Sequence, residues 1–113
     1  METINVRGSA QTVYTQSGKT ILITGATDGI GLVSALELAR QGATIILHGR
    51  NPQKIQVAKD HILGQIGYAR IEPVQADLAE LVQVKRMASE IQERYKRLDI
   101  MINNAGAMFF RRR

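Results

Sequence analysis

The chain has 113 residues, 44% hydrophobic and 22% charged, which fits a single soluble globular domain, and its lack of cysteine excludes a disulfide framework, a thiolate metal site and a cysteine nucleophile. The net charge of +5 depends on the three arginines at the end of the sequence, so the charge predicts no nucleic-acid partner. No apolar run approaches the roughly 20 residues of a membrane span, and the N-terminal stretch lacks the apolar core of a signal peptide, so we expect a cytoplasmic protein.

The first predicted elements are a polar arm, a strand and a helix. Residues 1–18 show no sustained hydrophobic period and are predicted to form an N-terminal arm, so the domain comprises residues 19–113. The run TILIT, residues 20–24, is rich in β-branched residues and predicts a buried strand. A helix is expected next, because apolar residues recur at helical spacing before Gly42, which stands where a helix stop belongs.

A second strand, a second helix and a third strand follow. ATIILHG, residues 43–49, is another apolar run that predicts a buried strand. Asn51 followed by Pro52 has the pattern of a helix N-cap with proline at the first helical position. ARIEPVQA, residues 69–76, predicts the third strand, and Pro73 inside it favours a position at the edge of a sheet, because proline cannot donate a ladder hydrogen bond.

A third helix and a fourth strand complete the pattern. Asp77 and Glu80 have the spacing of a capping box, with Asp in place of Ser or Thr, which predicts a helix start. The helix beyond them carries an amphipathic stripe. We interpret that stripe as core and not as a partner surface; it consists of Leu81, Val84, Ala88, Ile91 and Tyr95. LDIMIN, residues 98–103, predicts the fourth strand.

The regular alternation of strands and helices predicts an α/β fold with a parallel sheet and right-handed crossovers. In a Rossmann-type three-layer fold, helices cover both faces of the sheet and the strand order begins 3-2-1-4. That order makes the third strand an edge, which is where Pro73 is tolerated. We therefore predict a Rossmann-type sheet with the order 3-2-1-4.

Three glycines come directly after the first strand, with the spacing G-x-x-x-G-x-G. A bare turn between a strand and a helix exposes backbone amides to a pyrophosphate, which the helix dipole also favours. The alternative is a tight turn that simply favours glycine, and the spacing matches neither G-x-G-x-x-G nor the P-loop. Thr27 and Asp28 are expected to form the loop crest, with Ile30 packed beneath it. The predicted phosphate-binding glycines are Gly25, Gly29 and Gly31.

Three motifs make the chain resemble the short-chain dehydrogenase/reductase family. TGATDGIG (24–31) is similar to the family's cofactor motif, ADL (76–78) to its adenine-contacting segment, and NNAG (103–106) to its second motif. Each stands at the end of a predicted strand, and the resemblance covers residues 19 to about 110. It implies an NAD(P)-dependent oxidoreductase that transfers a hydride between nicotinamide and an alcohol or carbonyl substrate. The segments ILHGRN and NNAGAMFFRR are similar to the retinol-dehydrogenase-like branch.

The resemblance also implies roles for residues at the strand ends. Asp77 and the backbone of Leu78 would contact the adenine, although Asp77 has a second interpretation as the N-cap of the third helix, and the two roles are compatible. Ala105 and Gly106 would lie against the cofactor ribose, and Asn104 would brace the central strands. The alternative for these last three residues is a plain exit from strand to loop.

The end of the second strand predicts a preference for NADP over NAD. A dinucleotide site specific for NAD carries an acid about 20 residues past the glycines, where it binds the ribose 2′-hydroxyl. Residues 43–51 contain no acid; Gly49 stands at that position and Arg50 follows it. A guanidinium binds a 2′-phosphate through paired hydrogen bonds, and the alternative is a solvated loop arginine. Asp28 departs from the NADP pattern, because NADP-preferring relatives often carry a basic residue there.

The family's catalytic Tyr-x-x-x-Lys pair, in which tyrosine acts as general acid or base, is missing from the sequence, so no catalytic residue is predicted. His48 and His61 lack the spacing of a metal motif and are interpreted as ordinary surface or strand-end residues, so no metal site is predicted. We expect a domain truncated after the fourth strand, inactive alone, marginally stable and prone to self-associate through the open edge of that strand. The alternatives to a cofactor-binding half-enzyme are a non-catalytic dinucleotide-binding module and an inactive remnant.

Overall fold

The structure of the protein is a computed structural model that describes residues 15–104. Most of the predicted N-terminal arm therefore lies outside the described residues, as do Ala105 and Gly106. Residues 15–18 form a turn, in which the Gln16 N–H donates to the Gln41 carbonyl at 3.0 Å. The last residues of the predicted arm are thus attached to the end of the first helix.

Strands and helices alternate along the described chain, as the sequence predicts. The elements are β1 (Thr20–Ile23), α1 (Gly29–Arg40), β2 (Thr44–Gly49), α2 (Pro52–Gln65), β3 (Arg70–Gln75), α3 (Leu81–Arg94) and β4 (Ile100–Ile102). The observed strands are one to three residues shorter than the apolar runs that predict them, because those runs continue into the turns at the carboxyl ends or begin in the loops before the strands.

The four strands pair in parallel in the order β3-β2-β1-β4, which confirms the predicted Rossmann-type topology. β1 lies in the middle, with Leu22 opposite Ile46 of β2 and opposite Met101 of β4. Pro73 lies in β3, which is an edge strand as expected, and its side chain is exposed. All four strands run in one direction, so their carboxyl ends meet at a single edge of the sheet.

The core has two parts, one on each face of the sheet. Strands that are covered on both faces are apolar along their whole length, so they contribute side chains to both parts. Ile21, Ile23, Ile45 and Leu47 point to the side of α1 and α2 and are fully buried there. On the opposite face a smaller cluster packs beneath α3; it consists of Leu22, Ile46, Val74, Ala76, Met87 and Ile91. The molecule therefore has the three layers expected of this fold.

Two residues of the stripe that the sequence predicts as core on α3 are exposed instead. Leu81 is 66% exposed and Ala88 is also exposed, whereas Met87, which the predicted stripe omits, is buried. A stripe through Met87 has the same spacing of three and four residues, so periodicity alone did not distinguish the two helix faces. The helix shows its Met87 face to the sheet.

The predicted capping box before α3 does not form. The helix begins at Leu81, so its N-cap is Glu80, whose side chain makes no cap hydrogen bond within the described part of the chain. Asp77 lies three residues too early to cap this helix. Its Oδ1 instead accepts from the Ala79 N–H at 3.0 Å, which closes a turn in the loop before the helix. The Asp77 N–H donates to the Gln83 side chain at 2.8 Å.

Candidate functional site

The glycine-rich turn leaves β1 at the carboxyl edge of the sheet and leads directly into α1. Residues 24–27 are in a turn conformation, and α1 begins at Gly29. Gly25 has a φ of +60° and Gly29 a φ of +57°, a region that residues with a Cβ rarely adopt. Among the described residues, nothing lies within 4 Å of a Cβ built on Gly29, so the turn is open to solvent at that point.

Gly31 has a different role, because its backbone is not in the left-handed region and its surroundings are full. A Cβ at Gly31 would lie 2.3 Å from the Gly25 carbonyl oxygen and 2.8 Å from Nδ2 of Asn104. The first turn of α1 therefore packs directly on the strand exit. Asn104 holds the same point, since its Nδ2 donates to the Gly25 oxygen at 3.1 Å and its N–H donates to Thr24 Oγ1 at 2.9 Å. Asn104 thus connects the exits of β1 and β4, the bracing position that the resemblance implies.

His48 lies at a strand end, one of the two placements predicted for it, but it is not on the surface, and the sequence analysis assigned it no role in the site. The residue is buried at the end of β2, with a relative exposure of only 2%. The Gly25 N–H donates to Nδ1 at 3.0 Å, and Nε2 lies 2.9 Å from the Ala76 carbonyl oxygen. The available signal was its position inside an apolar strand, since a polar side chain buried there needs partners for its ring nitrogens.

The hydrogen bonds of His48 define its tautomer. A backbone N–H can only donate, so Nδ1 must be the acceptor, and Nε2 carries the proton that it donates to Ala76. Burial lowers the pKa of His48 below its usual 6.5, and the hydrogen bond to Ala76 opposes this effect in part. The ring is therefore neutral near pH 7.

A cleft of about 390 Å³ opens at the carboxyl ends of β1, β2 and β3. It contains six of the predicted site residues, namely Gly25, Thr27, Asp28, Arg50, Asp77 and Leu78. Six further residues complete its lining, namely His48, Gly49, Asn51, Lys54, Ala76 and Ala79. Its volume falls in the range of small-molecule sites, and its place is where ligands bind in open parallel sheets.

Four predicted site residues with described positions are not among those lining this cleft: Gly29, Ile30, Gly31 and Asn104. The expectation that Ile30 packs beneath the loop crest is wrong, because its side chain is 77% exposed. Ile30 is the second residue of α1. Because Gly31 is in close contact with the turn, the inner face of the helix contains Gly31 and not Ile30.

The charged side chains of the cleft are two basic and two acidic. Arg50 and Lys54 come from the end of β2 and the first turn of α2, and Asp28 and Asp77 from the loops after β1 and β3. Asn51 caps α2, because its Oδ1 accepts from the Gln53 N–H at 2.9 Å and from the Lys54 N–H at 3.1 Å. This cap fixes the start of α2 and so sets where the Lys54 side chain begins.

An acidic side chain at Gly49, which an NAD site would carry there, would crowd two neighbouring side chains. A Cβ at this position would lie 2.6 Å from Cγ2 of Thr27 and 2.7 Å from Cγ1 of Ile55. An aspartate would therefore require both side chains to move. The structure thus gives a steric reason, in addition to the sequence, for the missing acid at the end of β2.

Residues 15–104 contain neither a membrane-spanning helix nor a metal cluster. No helix in this range is long and apolar enough to cross a membrane. The range also contains no cluster of three histidine or acidic side chains that could bind a metal ion.

Comparison with known proteins gives a family match over most of the chain. Residues 19–112 match the short chain dehydrogenase family. Human retinol dehydrogenase 13 is 42% identical over 101 residues, which cover 89% of this chain and 30% of that protein. The 3β-hydroxysteroid dehydrogenase of Mediterraneibacter gnavus is 40% identical over 90 residues, which cover 78% of this chain and 31% of that protein.

A solved structure aligns with the fold of this chain. L-sorbose reductase from Gluconobacter frateurii, in complex with NADPH and L-sorbose, aligns with a TM-score of 0.72 and 33% identity. The alignment covers 80% of this chain and 34% of that one. The chain spans about a third of the length of the curated relatives it matches.

Proposed function

The chain belongs to the short-chain dehydrogenase/reductase family, and we propose that it forms the cofactor-binding half of an NADP-dependent oxidoreductase. When bound, the nicotinamide of this cofactor supplies or accepts the hydride that interconverts an alcohol and a carbonyl. The residues of this chain bind and orient the cofactor. The observation that carries the proposal is the placement of Arg50 beside a bare Gly49, in the same cleft as the glycine-rich turn.

The diphosphate is assigned to the backbone at the start of α1. The first N–H groups of a helix have no partner within the helix, and the Asp28 side chain makes no cap hydrogen bond among the described residues. The N–H groups of Gly25 and Ala26 are not available, because they donate to Nδ1 and to the carbonyl of His48. We therefore assign the phosphates to the amides that follow, from Thr27 to Ile30, which leaves Ile30 a backbone role despite its exposed side chain.

The adenosine is assigned to the loop after β3. Asp77 Oδ1 accepts from the Ala79 N–H, and we propose that its Oδ2 accepts from the adenine amino group. Leu78 lines the same cleft and would contribute its backbone and one apolar surface to the base. The nicotinamide ribose is assigned to Ala105 and Gly106, which lie outside the described residues, with Asn104 fixing the end of β4 before them.

The 2′-phosphate of NADP is assigned to Arg50, with Lys54 as a second cation. The two side chains line the same part of the cleft and emerge four residues apart, on either side of the Asn51 cap. A guanidinium offers paired donors and an ammonium a mobile charge, so together they neutralise a dianion. The NADPH bound in L-sorbose reductase, whose structure aligns with this chain, supports the same cofactor.

Proton transfer to the substrate oxygen is not assigned to these residues. None of the 3 tyrosines in the sequence has a lysine four positions later, which is the pair that the family uses. The alternative is a module that binds the dinucleotide without catalysis. Both candidates predict cofactor binding by this chain, and an inactive remnant predicts none.

The test is NADPH and NADH binding by the 113-residue chain, measured by isothermal titration calorimetry. We expect NADPH to bind more tightly than NADH. Arg50→Ala removes a charged hydrogen-bond donor pair, which is worth about 1.5–3 kcal/mol, so NADPH affinity should fall by about 10- to 100-fold while NADH affinity changes little.

Arg70→Ala is the matched control. Arg70 is also an exposed arginine at a strand terminus, but it begins β3 at the opposite edge of the sheet. Its removal is expected to leave the affinity for both cofactors unchanged. Equal affinity of the Arg50→Ala variant and the parent chain for NADPH would contradict the cofactor assignment. No binding of either cofactor would favour the remnant.

A further inference from the structure

His48 lies where three neighbouring segments of the cofactor cleft meet. It is the penultimate residue of β2, its Nδ1 accepts from the Gly25 N–H of the turn after β1, and its Nε2 donates to the Ala76 carbonyl at the exit of β3. Resting on the proposed cofactor function, we infer that His48 is a positioning residue, whose neutral ring holds the glycine-rich turn and the adenine loop in the form that binds the dinucleotide. Protonation of the ring is then expected to weaken cofactor binding.

Only the neutral ring of His48 satisfies both of its hydrogen-bond neighbours. Gly25 presents a donor to Nδ1 and Ala76 presents an acceptor to Nε2. A protonated imidazole is a donor at both nitrogens, so it would set an N–H of the ring against the Gly25 N–H at 3.0 Å. The hydrogen bond to Gly25 must therefore break when the ring is protonated.

Gly25 is also held tightly through its carbonyl group. Its carbonyl accepts from Asn104 Nδ2 at 3.1 Å, and the backbone of Gly31 leaves no space for even one added carbon near it. A displacement of Gly25 away from His48 thus acts directly on the start of α1, where the diphosphate is assigned. Ala76, on the opposite side of the ring, directly precedes Asp77, so the same ring also fixes the start of the adenine loop.

Four charged side chains line the same cleft as His48. The charged groups facing the cleft that His48 lines are Asp28 from the glycine-rich turn, Arg50 and Lys54 from the β2–α2 connection, and Asp77 from the loop after β3. The causes of the pKa shift of His48 are burial, which lowers it, and the hydrogen bond to Ala76, which raises it. Since burial dominates, the neutral ring is favoured near pH 7, and protonation occurs at a pH below 6.5.

The sign of the pH effect follows from this lowered pKa. The contribution of neutral His48 to stability is complete above 6.5, the pKa of the unfolded chain, and declines as the pH falls from there to the lower pKa of the folded protein. Cofactor affinity should decline as the pH falls through the lowered pKa of His48 in the folded chain. The 2′-phosphate of NADPH also gains a proton near pH 6, so the effect of His48 must be taken as a difference between variants.

The experiment measures the NADPH affinity of the 113-residue chain from about pH 7.5 to about pH 5.5, with three variants. His48→Gln keeps one acceptor and one donor but does not titrate, and His48→Leu has neither. The control is His61→Asn, which removes an exposed histidine whose only described partner is Gln65 within α2.

We expect the affinity of the parent chain to fall on acidification by at least about threefold more than that of His48→Gln. His48→Leu should bind about tenfold more weakly near pH 7.5, and His61→Asn should follow the parent chain throughout. An equal acid decline in the parent chain and His48→Gln would overturn the inference and leave the proposed function intact. If the parent chain binds no NADPH near pH 7.5, the proposed function fails, and the inference with it.

A measurement on the parent chain alone covers the case in which a variant does not fold. Long-range ¹H–¹⁵N correlation spectra distinguish the two ring nitrogens of a histidine and follow their protonation. We expect the Nε2–H tautomer for His48, with titration below pH 6.5 accompanied by a shift of the Gly25 amide resonance. A ring protonated at Nδ1 near neutral pH, or a Gly25 amide that does not respond, would overturn the inference.

Discussion

The three glycines of the turn after β1 are required for two different physical reasons. Gly25 and Gly29 have positive φ angles, and any residue with a Cβ pays a conformational cost there. Gly31 has no such angle, but the carbonyl oxygen of Gly25 occupies the place of its Cβ. The spacing in the sequence reveals the glycines without distinguishing these reasons, and each reason predicts a different consequence of substitution.

Gly31→Ala is expected to be severely destabilising, because the added methyl would overlap a backbone oxygen at 2.3 Å that is itself hydrogen-bonded to Asn104. Overpacking of this kind costs about 1–3 kcal/mol, and the helix can relieve it only by moving away from β1. The free energy of unfolding, from urea denaturation, measures the effect.

Gly64→Ala is the matched control for Gly31→Ala. Gly64 also lies in a helix, α2, but nothing in the described residues comes within 4 Å of an added Cβ. We expect it to raise the free energy of unfolding by about 0.5–1 kcal/mol, because alanine loses less entropy in a helix. An unchanged or raised free energy of unfolding in Gly31→Ala would contradict the packing described for Gly31.

At the level of single residues, sequence reasoning located those side chains whose role depends on chain position. Arg50 and Asp77 follow strands whose carboxyl ends must meet, so their presence in one cleft is predictable from the alternation of elements. The roles of His48 and Gly49 depend instead on contacts with residues from other segments of the chain. The partners of His48 are 23 and 28 residues away, and the Cβ of Gly49 would meet Thr27, so neither role is visible before the chain is folded.

At the level of elements, the helix starts show how local signals succeed or fail. Asn51 and Pro52 begin α2 as predicted, with the Asn51 side chain bound to two amides of the first turn. The capping box at Asp77 has an equally good pattern but does not cap α3, because the chain needs three more residues to turn from β3 onto the opposite face of the sheet. A local motif thus defines a helix start only where the tertiary path permits it.

Asn51→Ala is expected to destabilise the protein by about 1 kcal/mol, because two N–H groups at the start of α2 lose their acceptor. The melting temperature should fall by about 4–8 °C per kcal/mol for a domain of this size. Asn51→Ser keeps an acceptor on a short side chain, and its unfolding should stay close to that of the parent chain. If Ala and Ser had the same effect, the loss would not come from the cap.

The elements themselves were predictable, whereas their faces were less so. β1 and β2 are buried on both sides, so their continuous apolar runs identify them as strands without any alternation. α3 covers a smaller area, and its apolar residues fit either of two faces until the sheet below selects Met87 over Ala88. Pro73 was informative because proline is tolerated at few positions in a sheet, and an edge strand is one of them.

At the level of the whole molecule, one side of the sheet is less completely covered than the other. α1 and α2 cover the first face, whereas α3 leaves an apolar groove of about 520 Å³ beside β1 and β4. Met101, in β4, lines this groove and is 52% exposed. Within residues 15–104, β4 pairs with β1 alone, so its outer side is a free edge.

A free edge beside exposed apolar side chains favours pairing with another chain, so we expect the 113-residue chain to self-associate as its concentration rises. Met101→Lys places a charge both in the groove and on the edge strand, which should shift the sedimentation profile toward the monomer. Val57→Lys is the control, because Val57 is 68% exposed on α2, on the opposite face of the sheet. A concentration-independent monomer in the parent chain would refute the expectation. If the two lysine substitutions had equal effects, the association would be due to general surface hydrophobicity and not to β4.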